Sequence, residues 1–561
     1  MNSTNYFPSF LKEKPNQLKF GTSGIRGLVA EMSDLECYTT IKGFIQYLLE
    51  IGDIQKGDPI SIAGDFRSSS ERIMVAVAAA IEDSGCKVDN CGYIPTPALA
   101  YYAMQKSQAS IMVTGSHIPD DRNGIKPYKK HGEVLKTDEA EILDHVTKIR
   151  KQEYIKKVDE TIFNEMGMFK KARSLSSVNK EAEVSYVRRY LNVFPPNCLL
   201  SKTIVLYEHS AVGRDILAQV LRGLGAEVIP VARSDRFVAI DTESLTSYDR
   251  KFFRQLADEY RPSDICAIVS TDGDSDRPLI VDEQGEFHRG DVVGIVVSQY
   301  VNADFAAVPI SANDAVAIQL EKDGIAFTNT RIGSPYVIAA MNEAITKGRH
   351  SVVGWEVNGG FLTGTDLVIN GKVLKALPTR DAFLPIICVI LQAIKKDLSV
   401  SELLAELPRR YSQAGLIDHF PVDTSKMIIE RFSPLQGDHI IQVDFEDDGV
   451  KVIDKTGRTS LLDSQDPITR AMLEKRKVLK RYFNSRPGFD DIIRINYIDG
   501  IRITFAKGDV SHIRPSGNAP QLRFYSNANS QERADKIVQF AVAESDGILR
   551  RLEKELSAVD Q

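Results

Sequence analysis

No stretch of this chain is apolar for long enough to cross a bilayer. The longest such run, Leu384 to Ile394, is eleven residues, roughly half of what a spanning helix needs. Charge of one sign is also scarce. The formal net charge is −6 over 561 residues, whereas a nucleic-acid binder carries a concentrated basic face. Cysteine is sparse and unpatterned: the six residues Cys37, Cys86, Cys91, Cys198, Cys266 and Cys388 show no paired metal-ligand spacing. Cys266 and Cys388 lie inside apolar runs, as buried thiols do, and that fits a reducing compartment better than a disulfide framework. Met1 to Lys14 has no apolar core of signal-peptide length. These absences argue against membrane and nucleic acid as partners and make the cytoplasm the expected location. They leave the oligomeric state open.

What is present is an ordinary globular composition, 43% apolar and 26% charged, in a chain long enough for three or four domains. A strand–helix–strand theme recurs. Pro59 to Ala63 reads as a strand, Ile73 to Asp83 as a helix capped by the serines at 68–70 and stopped by Gly85, and Lys87-Val88 begins the next strand. The pattern returns at Thr203–Tyr207, Asp215–Leu224, Gly225 and Glu227–Ile229. It returns again at Ala307–Ile310, Ala315–Lys322, Gly324 and Ile325–Phe327. Such alternation predicts α/β domains with parallel or mixed sheets. The last part differs: strands at Gly500–Phe505 and Leu522–Tyr525, then one or two helices within Gln531–Leu556, predict a smaller α+β domain. Lys170–Asn179 and Pro408–Ala414 read as linkers. The expected domains are 1–175, 176–300, 301–412 and 413–561. Pro421–Arg486 is charged and weakly periodic, and extends the last of them.

Four segments carry chemistry. In the first, the buried-strand run Ser110–Val113 leads into Thr114-Gly115-Ser116-His117-Ile118-Pro119, followed by a polar turn and Lys126. A serine at a strand's mouth beside histidine and lysine has the makings of an activated nucleophile. In the second, Asp272, Asp274 and Asp276 follow the apolar strand Ile265–Ser270. Three carboxylates so close repel one another unless a cation lies between them, and oxygen ligands suit Mg²⁺. An EF-hand is excluded because Arg277 stands where that loop needs glycine and strands replace its helices. The third is Glu356-Val-Asn-Gly-Gly360 and the fourth Arg514-Pro-Ser-Gly-Asn518. There a guanidinium, a hydroxyl and backbone amides suit a phosphate dianion.

Together with Phe20-Gly-Thr-Ser-Gly-Ile-Arg-Gly27, these segments in this order resemble the α-D-phosphohexomutase superfamily, over nearly the whole chain. The departures are Gly115 and Ile118 for alanine and asparagine in the serine loop, and Asn518 and Ala519 for threonine and glutamate in the phosphate loop. In the sugar loop, Asn358 and Gly360 replace serine and histidine. The resemblance implies three similar mixed α/β domains around a central cleft plus a C-terminal α+β domain. It implies an intramolecular phosphotransferase that interconverts hexose 6- and 1-phosphates, mannose first and glucose next, through a phosphoserine and a hexose 1,6-bisphosphate. Sugar phosphates are then its small-molecule partners.

By the same resemblance Ser116 carries the phosphoryl group. His117, Lys126 and Arg26 are the acid–base candidates, with Arg277 as a further contact to the phosphoryl group. Asp272, Asp274, Asp276 and a Ser116 oxygen hold Mg²⁺. Glu356, Asn358 and Gly359 meet the sugar, while Arg514, Ser516, Gly517, Asn518 and Arg523 hold the phosphate that is not reacting. Phosphoglucosamine mutase of the same superfamily is an alternative. A haloacid-dehalogenase-type phosphatase with an aspartate nucleophile and a non-catalytic sugar-phosphate binder are the others.

Overall fold

The structure, a computed structural model, describes residues 7–12, 16–21, 24–434, 439–485, 487–516 and 520–557. Thr22 and Ser23 of the first motif, and Gly517 and Asn518 of the phosphate loop, lie outside the described residues. The chain forms two compact units. The first comprises Met1–Ala307, Asp323–Thr328 and Gly333–Glu406, and the second Val308–Lys322, Asn329–Ile332 and Leu407–Gln561.

In the first unit the recurring theme is realised as sheets. Pro59–Gly64 pairs in parallel with Lys87–Tyr93 on one side and Ala109–Val113 on the other. Thr203–His209 pairs in parallel with Glu227–Arg233 and with Ile265–Thr271, and Phe305–Pro309 with Val352–Trp355. The linking helices are Ser70–Asp83 and Arg214–Gly223, while the third, Ala315–Lys322, is counted with the second unit. After them Gly85, Gly225 and Gly324 take φ of 81°, 100° and 70°, the left-handed turn that ends a helix and costs glycine least. Each sheet then closes with antiparallel strands. The candidate site residues lie mostly in the loops that lead into those strands: Arg122–Lys129 beside Ala109–Val113, Pro278–Asp282 beside Ile265–Thr271, and Phe361–Thr363 beside Val352–Trp355.

Several expectations need correction. Asp120 to Lys126 reads as a polar turn, yet Arg122–Lys129 is a strand held between Ala109–Val113 and Ile25–Leu28. Pairing on both edges overrides its turn-like residues. The serines at 68–70 do not cap their helix by side chain; Ser70 Oγ instead donates to Asp65 at 2.6 Å and Ser68 Oγ to Asp120 at 3.1 Å. Cys266 is half-buried while Cys388 is buried, and both are free thiols. Among the described residues no helix is long and apolar enough to cross a membrane. The run at 384–394 is a helix, Phe383–Lys396, buried almost throughout.

The second unit is built on an eight-stranded sheet. Tyr411–Ile417, part of which reads as a linker, pairs antiparallel with Leu522–Ala528 along its whole length. Val510–Pro515 follows on the other side of Leu522–Ala528. The weakly periodic stretch supplies Ile440–Glu446, Gly449–Asp454 and Thr459–Asp463 to the same sheet, with helices Val422–Phe432 and Pro467–Tyr482. The terminal helices are Gln531–Val542 and Ile548–Ser557.

Candidate active site

The serine loop leaves the buried strand Ala109–Val113 and turns back at Ser116, which takes a φ of 58°. That conformation is uncommon for a residue with a Cβ. The turn is held from below by Arg67, whose side chain is fully buried. Its Nη1 donates to the Pro119 and Arg122 carbonyls at 2.7 and 3.0 Å, and its Nη2 to Ser116 at 2.9 Å and to Ile118. Asp65 accepts from Nε at 3.1 Å, and the guanidinium lies 3.9 Å from the centre of the Phe237 ring. A Cβ at Gly115 would come within 2.6 Å of that guanidinium, so the smaller residue belongs with Arg67 in this chain. We expect Arg67→Lys, which keeps the charge and loses the planar fork, to lower kcat by about 10- to 100-fold with little change in KM. Steady-state kinetics check this, and unchanged kcat would show that the loop holds itself.

Ser116 Oγ donates to Asp272 Oδ2 at 2.6 Å and lies 3.4 Å from His117 Nδ1. Asp272 opens the second loop, which is closed by its own Oδ1 accepting from the Asp276 and Arg277 amides at 3.1 and 3.2 Å. The three aspartates are buried and offer carboxylate oxygens within 4.8 Å of one another. Lys126 Nζ reaches Asp274 at 2.6 Å and Asp276 at 2.8 Å. Strand pairing delivers it, since Lys126 lies opposite Met112, four residues before the serine. Thr96, at the start of the helix Thr96–Gln105, donates its amide to the Asp274 carbonyl at 3.0 Å and its hydroxyl to Asp274 Oδ2.

Two oxygens, Asp274 Oδ1 and Asp276 Oδ1, are buried without a hydrogen-bond donor among the described residues. Clustered carboxylates with unsatisfied oxygens fit a hard divalent cation. Burial and the charges of Asp274 and Asp276 push the Asp272 carboxyl well above its ordinary range. Burial acts in the same direction on Asp276, but Arg380, Lys126 and Arg277 outweigh it and hold that carboxyl below the usual range. Burial, with Arg277 and Arg26 nearby, holds His117 well below the ordinary histidine value, so the imidazole is neutral at pH 7. Burial beside Arg277 and Arg380 lowers the Arg26 guanidinium to about 10. Arg277 lies 3.6 Å from Asp276 and 3.8 Å from Asp272. The structure therefore brings Ser116, His117, Lys126, Arg26, Arg277 and the three aspartates into one cluster.

The third loop joins that cluster through a residue that sequence reasoning missed. Arg380, 2% exposed, donates to Asp276 Oδ2 from Nε at 3.0 Å and Nη2 at 2.8 Å, and to Glu356 Oε2 from Nη1 at 2.8 Å. A Cβ at Gly360 would lie 2.4 Å from Arg380 Cδ. The glycine that departs from the superfamily pattern thus makes room for this arginine. Asn358 Oδ1 accepts from the Gly360 amide at 2.9 Å, and its amide group faces Glu243 Oε1 at 3.4 Å. Gly359 takes a φ of 86° and donates its amide to the Glu356 carbonyl at 2.9 Å. Glu243 is a second missed neighbour; burial pushes its carboxyl up. Arg67 was foreshadowed by Asp65-x-Arg67 at a strand end, and Arg380 by a charged pair, Arg380-Asp381, just before an apolar helix.

The fourth segment belongs to the second unit. Arg514 and Arg523 stand opposite each other on paired strands. Arg514 Nε donates to Asp499 Oδ2 at 2.8 Å, and the Ser516 amide donates to the Gln521 carbonyl at 2.9 Å. Arg523 Nη2 lies 3.4 Å from Gln521 Oε1, and its Nε has no acceptor among the described residues.

Three profiles described as phosphoglucomutase/phosphomannomutase match the chain. They are the alpha/beta/alpha domain I at residues 17–153, the alpha/beta/alpha domain III at 289–411 and the C-terminal domain at 436–544. A phosphomannomutase of Sinorhizobium fredii is 35% identical over 525 residues, covering 94% of this chain and 98% of the relative. The chain belongs to the α-D-phosphohexomutase superfamily. It is also similar to a phosphomannomutase of Salmonella muenchen, at 37% identity over 93% of this chain and 94% of the relative. Among solved structures, a phosphoglucomutase/phosphomannomutase family protein from Burkholderia thailandensis matches with a TM-score of 0.62 at 16% identity, over 96% of this chain and 97% of that one. Parafusin, a phosphoglucomutase from Paramecium, matches with a TM-score of 0.61 at 14% identity, over 97% and 95%. At such identities these likenesses concern the fold. This phosphohexomutase is an intramolecular phosphotransferase of the carbohydrate-metabolism class.

Proposed function

We propose that this phosphohexomutase interconverts mannose 6-phosphate and mannose 1-phosphate, with the glucose phosphates as a second pair. The route is a phosphoserine at Ser116 and a hexose 1,6-bisphosphate. The observation that carries this reading is the 2.6 Å hydrogen bond from Ser116 Oγ to Asp272, inside a buried carboxylate cluster ringed by cations. Mannose is favoured because both full-length relatives at 35% and 37% identity are phosphomannomutases. A protein of Methanosphaera stadtmanae named as a probable phosphoglucosamine mutase, 24% identical over 525 residues, supports the amino sugar as the second reading. Comparing kcat/KM for mannose, glucose and glucosamine 6-phosphates tests the choice, and a preference for the amino sugar would overturn it.

In the forward half-reaction the bond between phosphorus and Ser116 Oγ breaks, and a new ester forms with the free sugar hydroxyl. The hydroxyl proton must leave. The neutral imidazole of His117, next to Oγ, is placed to take it and hand it to the departing Oγ, which leaves as a hydroxyl. Arg26, Arg277 and Lys126 supply positive charge around the moving phosphoryl group, the main electrostatic need of this chemistry. In the return half the other phosphate breaks from its sugar oxygen and bonds to Oγ, while His117 takes the Oγ proton and gives it to that sugar oxygen. Asp272, Asp274, Asp276 and a Ser116 oxygen would hold Mg²⁺, which when bound polarises the phosphate and offsets its charge. Glu356 and Asn358 would bind sugar hydroxyls, a contact that discriminates against substrates lacking them.

Two variants test the assignments. Asp274→Asn should weaken Mg²⁺ binding by at least about tenfold, the loss that even an outer-shell change can cause. Calorimetric titration of the metal measures this, and unchanged affinity would remove the triad as the metal site. Arg514→Ala should raise KM for both sugar 1-phosphate and sugar 6-phosphate by about 10- to 100-fold, since a charge-assisted contact to a phosphate is lost. Wild-type KM in both directions would make its loop a structural turn.

A further inference from the structure

Each aspartate of the triad has one carboxylate oxygen that the surrounding protein has already filled. The Asp276 and Arg277 amides donate to Asp272 Oδ1 at 3.1 and 3.2 Å. Lys126 Nζ, at 2.6 Å, and the Thr96 hydroxyl donate to Asp274 Oδ2. Lys126 Nζ, at 2.8 Å, and the Arg380 guanidinium, at 2.8 and 3.0 Å, donate to Asp276 Oδ2. A carboxylate oxygen has about two lone pairs, so none of these oxygens has one left for a cation. The remaining oxygens are placed differently. Asp274 Oδ1 and Asp276 Oδ1 have no hydrogen-bond donor among the described residues, and Asp272 Oδ2 accepts from Ser116 Oγ at 2.6 Å.

That division decides which cation fits. Ca²⁺ takes about six to eight oxygens, often both of one carboxylate, whereas Mg²⁺ demands a near-ideal octahedron and keeps several waters. With one oxygen of each aspartate filled, every carboxylate offers the cation a single oxygen, which suits the smaller ion. The donors to Asp272 Oδ1 are backbone amides, and Lys126 and Arg380 are charged members of the cluster. Thr96 is neither. It is fully buried and opens the helix Thr96–Gln105, outside the motif segments. Its amide donates separately to the Asp274 carbonyl at 3.0 Å. The backbone contact thus ties the helix to the metal loop, and the hydroxyl has a task of its own, filling the second lone pair of Asp274 Oδ2.

We propose that Thr96 is a positioning residue for Asp274. Its hydroxyl limits that carboxylate to one free oxygen and so sets the preference of the site for Mg²⁺ over Ca²⁺. The inference rests on the reading of the triad as the metal site. The test is calorimetric titration of the full-length, metal-free protein with Mg²⁺ and, separately, with Ca²⁺. Thr96→Val removes the hydroxyl and leaves the backbone contact, Thr96→Ala does so at smaller volume, and Thr96→Ser keeps the hydroxyl. In Thr96→Val and Thr96→Ala the ratio of the Ca²⁺ to the Mg²⁺ dissociation constant should fall by at least about tenfold, the scale of an outer-shell partner, because Asp274 then offers a second oxygen. Thr96→Ser should keep the wild-type ratio. Metal-free melting curves establish that each variant is folded. A contact that merely supports the loop affects both cations alike. An unchanged ratio in folded Thr96→Val or Thr96→Ala, whether or not both affinities fall, would therefore overturn the proposal. Loss of the ratio in Thr96→Ser as well would assign the effect to the methyl group and overturn it too. Wild-type protein that binds neither ion, or Asp274→Asn that binds both as tightly as wild type, would instead remove the triad as the metal site, and this inference with it.

Discussion

Ser116→Ala is expected to lower mutase turnover by at least about 10⁴-fold, the scale on which loss of a catalytic nucleophile is felt. The side chain removed is a single oxygen, buried in the site and 2.6 Å from Asp272. Alanine meets the same backbone demand at a φ of 58°, so the loop keeps its shape on the Arg67 contacts, which all go to backbone carbonyls. Sugar phosphate should therefore still bind, because its proposed contacts at Glu356, Asn358 and Arg514 are untouched. Steady-state turnover combined with calorimetric binding of mannose 6-phosphate separates the two effects. Turnover within tenfold of wild type would mean that the phosphoryl group travels by another residue, with Asp272 the next candidate.

Arg380→Ala should be nearly as damaging by a different route. The guanidinium bridges Asp276 and Glu356 with three hydrogen bonds of 2.8 to 3.0 Å, and its loss strands two buried carboxylates. Removing one partner of a buried ion pair costs about 3–5 kcal/mol, enough to displace both the metal loop and the sugar loop. Gly360→Ala should be damaging as well, since its Cβ would lie 2.4 Å from Arg380 Cδ. The two changes should not add fully: once Arg380 is alanine, the contacts of 2.4 and 2.6 Å with its Cδ and Cγ are gone, and only the 2.8 Å approach to the Cβ at 380 remains. In a cycle of kcat/KM values the double variant should be less impaired than the product of the single effects, by a coupling of about 1–3 kcal/mol. Free guanidinium should restore part of the activity of Arg380→Ala and none of that of Gly360→Ala. Additive effects within about 0.5 kcal/mol would show that the two residues do not share that space.

Local runs made much of this legible. The strand before Ser116, the aspartate triplet after Ile265–Thr271 and the glycines that stop the helices each rest on residues adjacent in the chain. The missed residues are those whose partners are set by distant crossings. Arg67 meets the serine loop about fifty residues away, and Arg380 meets Asp276 over a separation of 104. A single arginine on a strand carries no sign of such a partner. Strand Arg122–Lys129 was hidden by turn-forming residues such as Asn123-Gly124, overridden by pairing on both edges. The strand Thr459–Asp463 alternates between exposed and half-buried residues, and so leaves a weak periodic signal.

The central claim is that Ser116 carries the phosphoryl group, and the most direct measurement is mass spectrometry of the protein before and during turnover. The intact protein should carry a population heavier by about 80 Da, the mass of one phosphoryl group. Proteolytic mapping should place it on Ser116. Brief exposure to excess hexose 6-phosphate without bisphosphate should discharge it, and hexose 1,6-bisphosphate should restore it. A fully active protein with no phosphate on Ser116 at any stage, or with the phosphoryl group on Asp272 instead, would contradict the account.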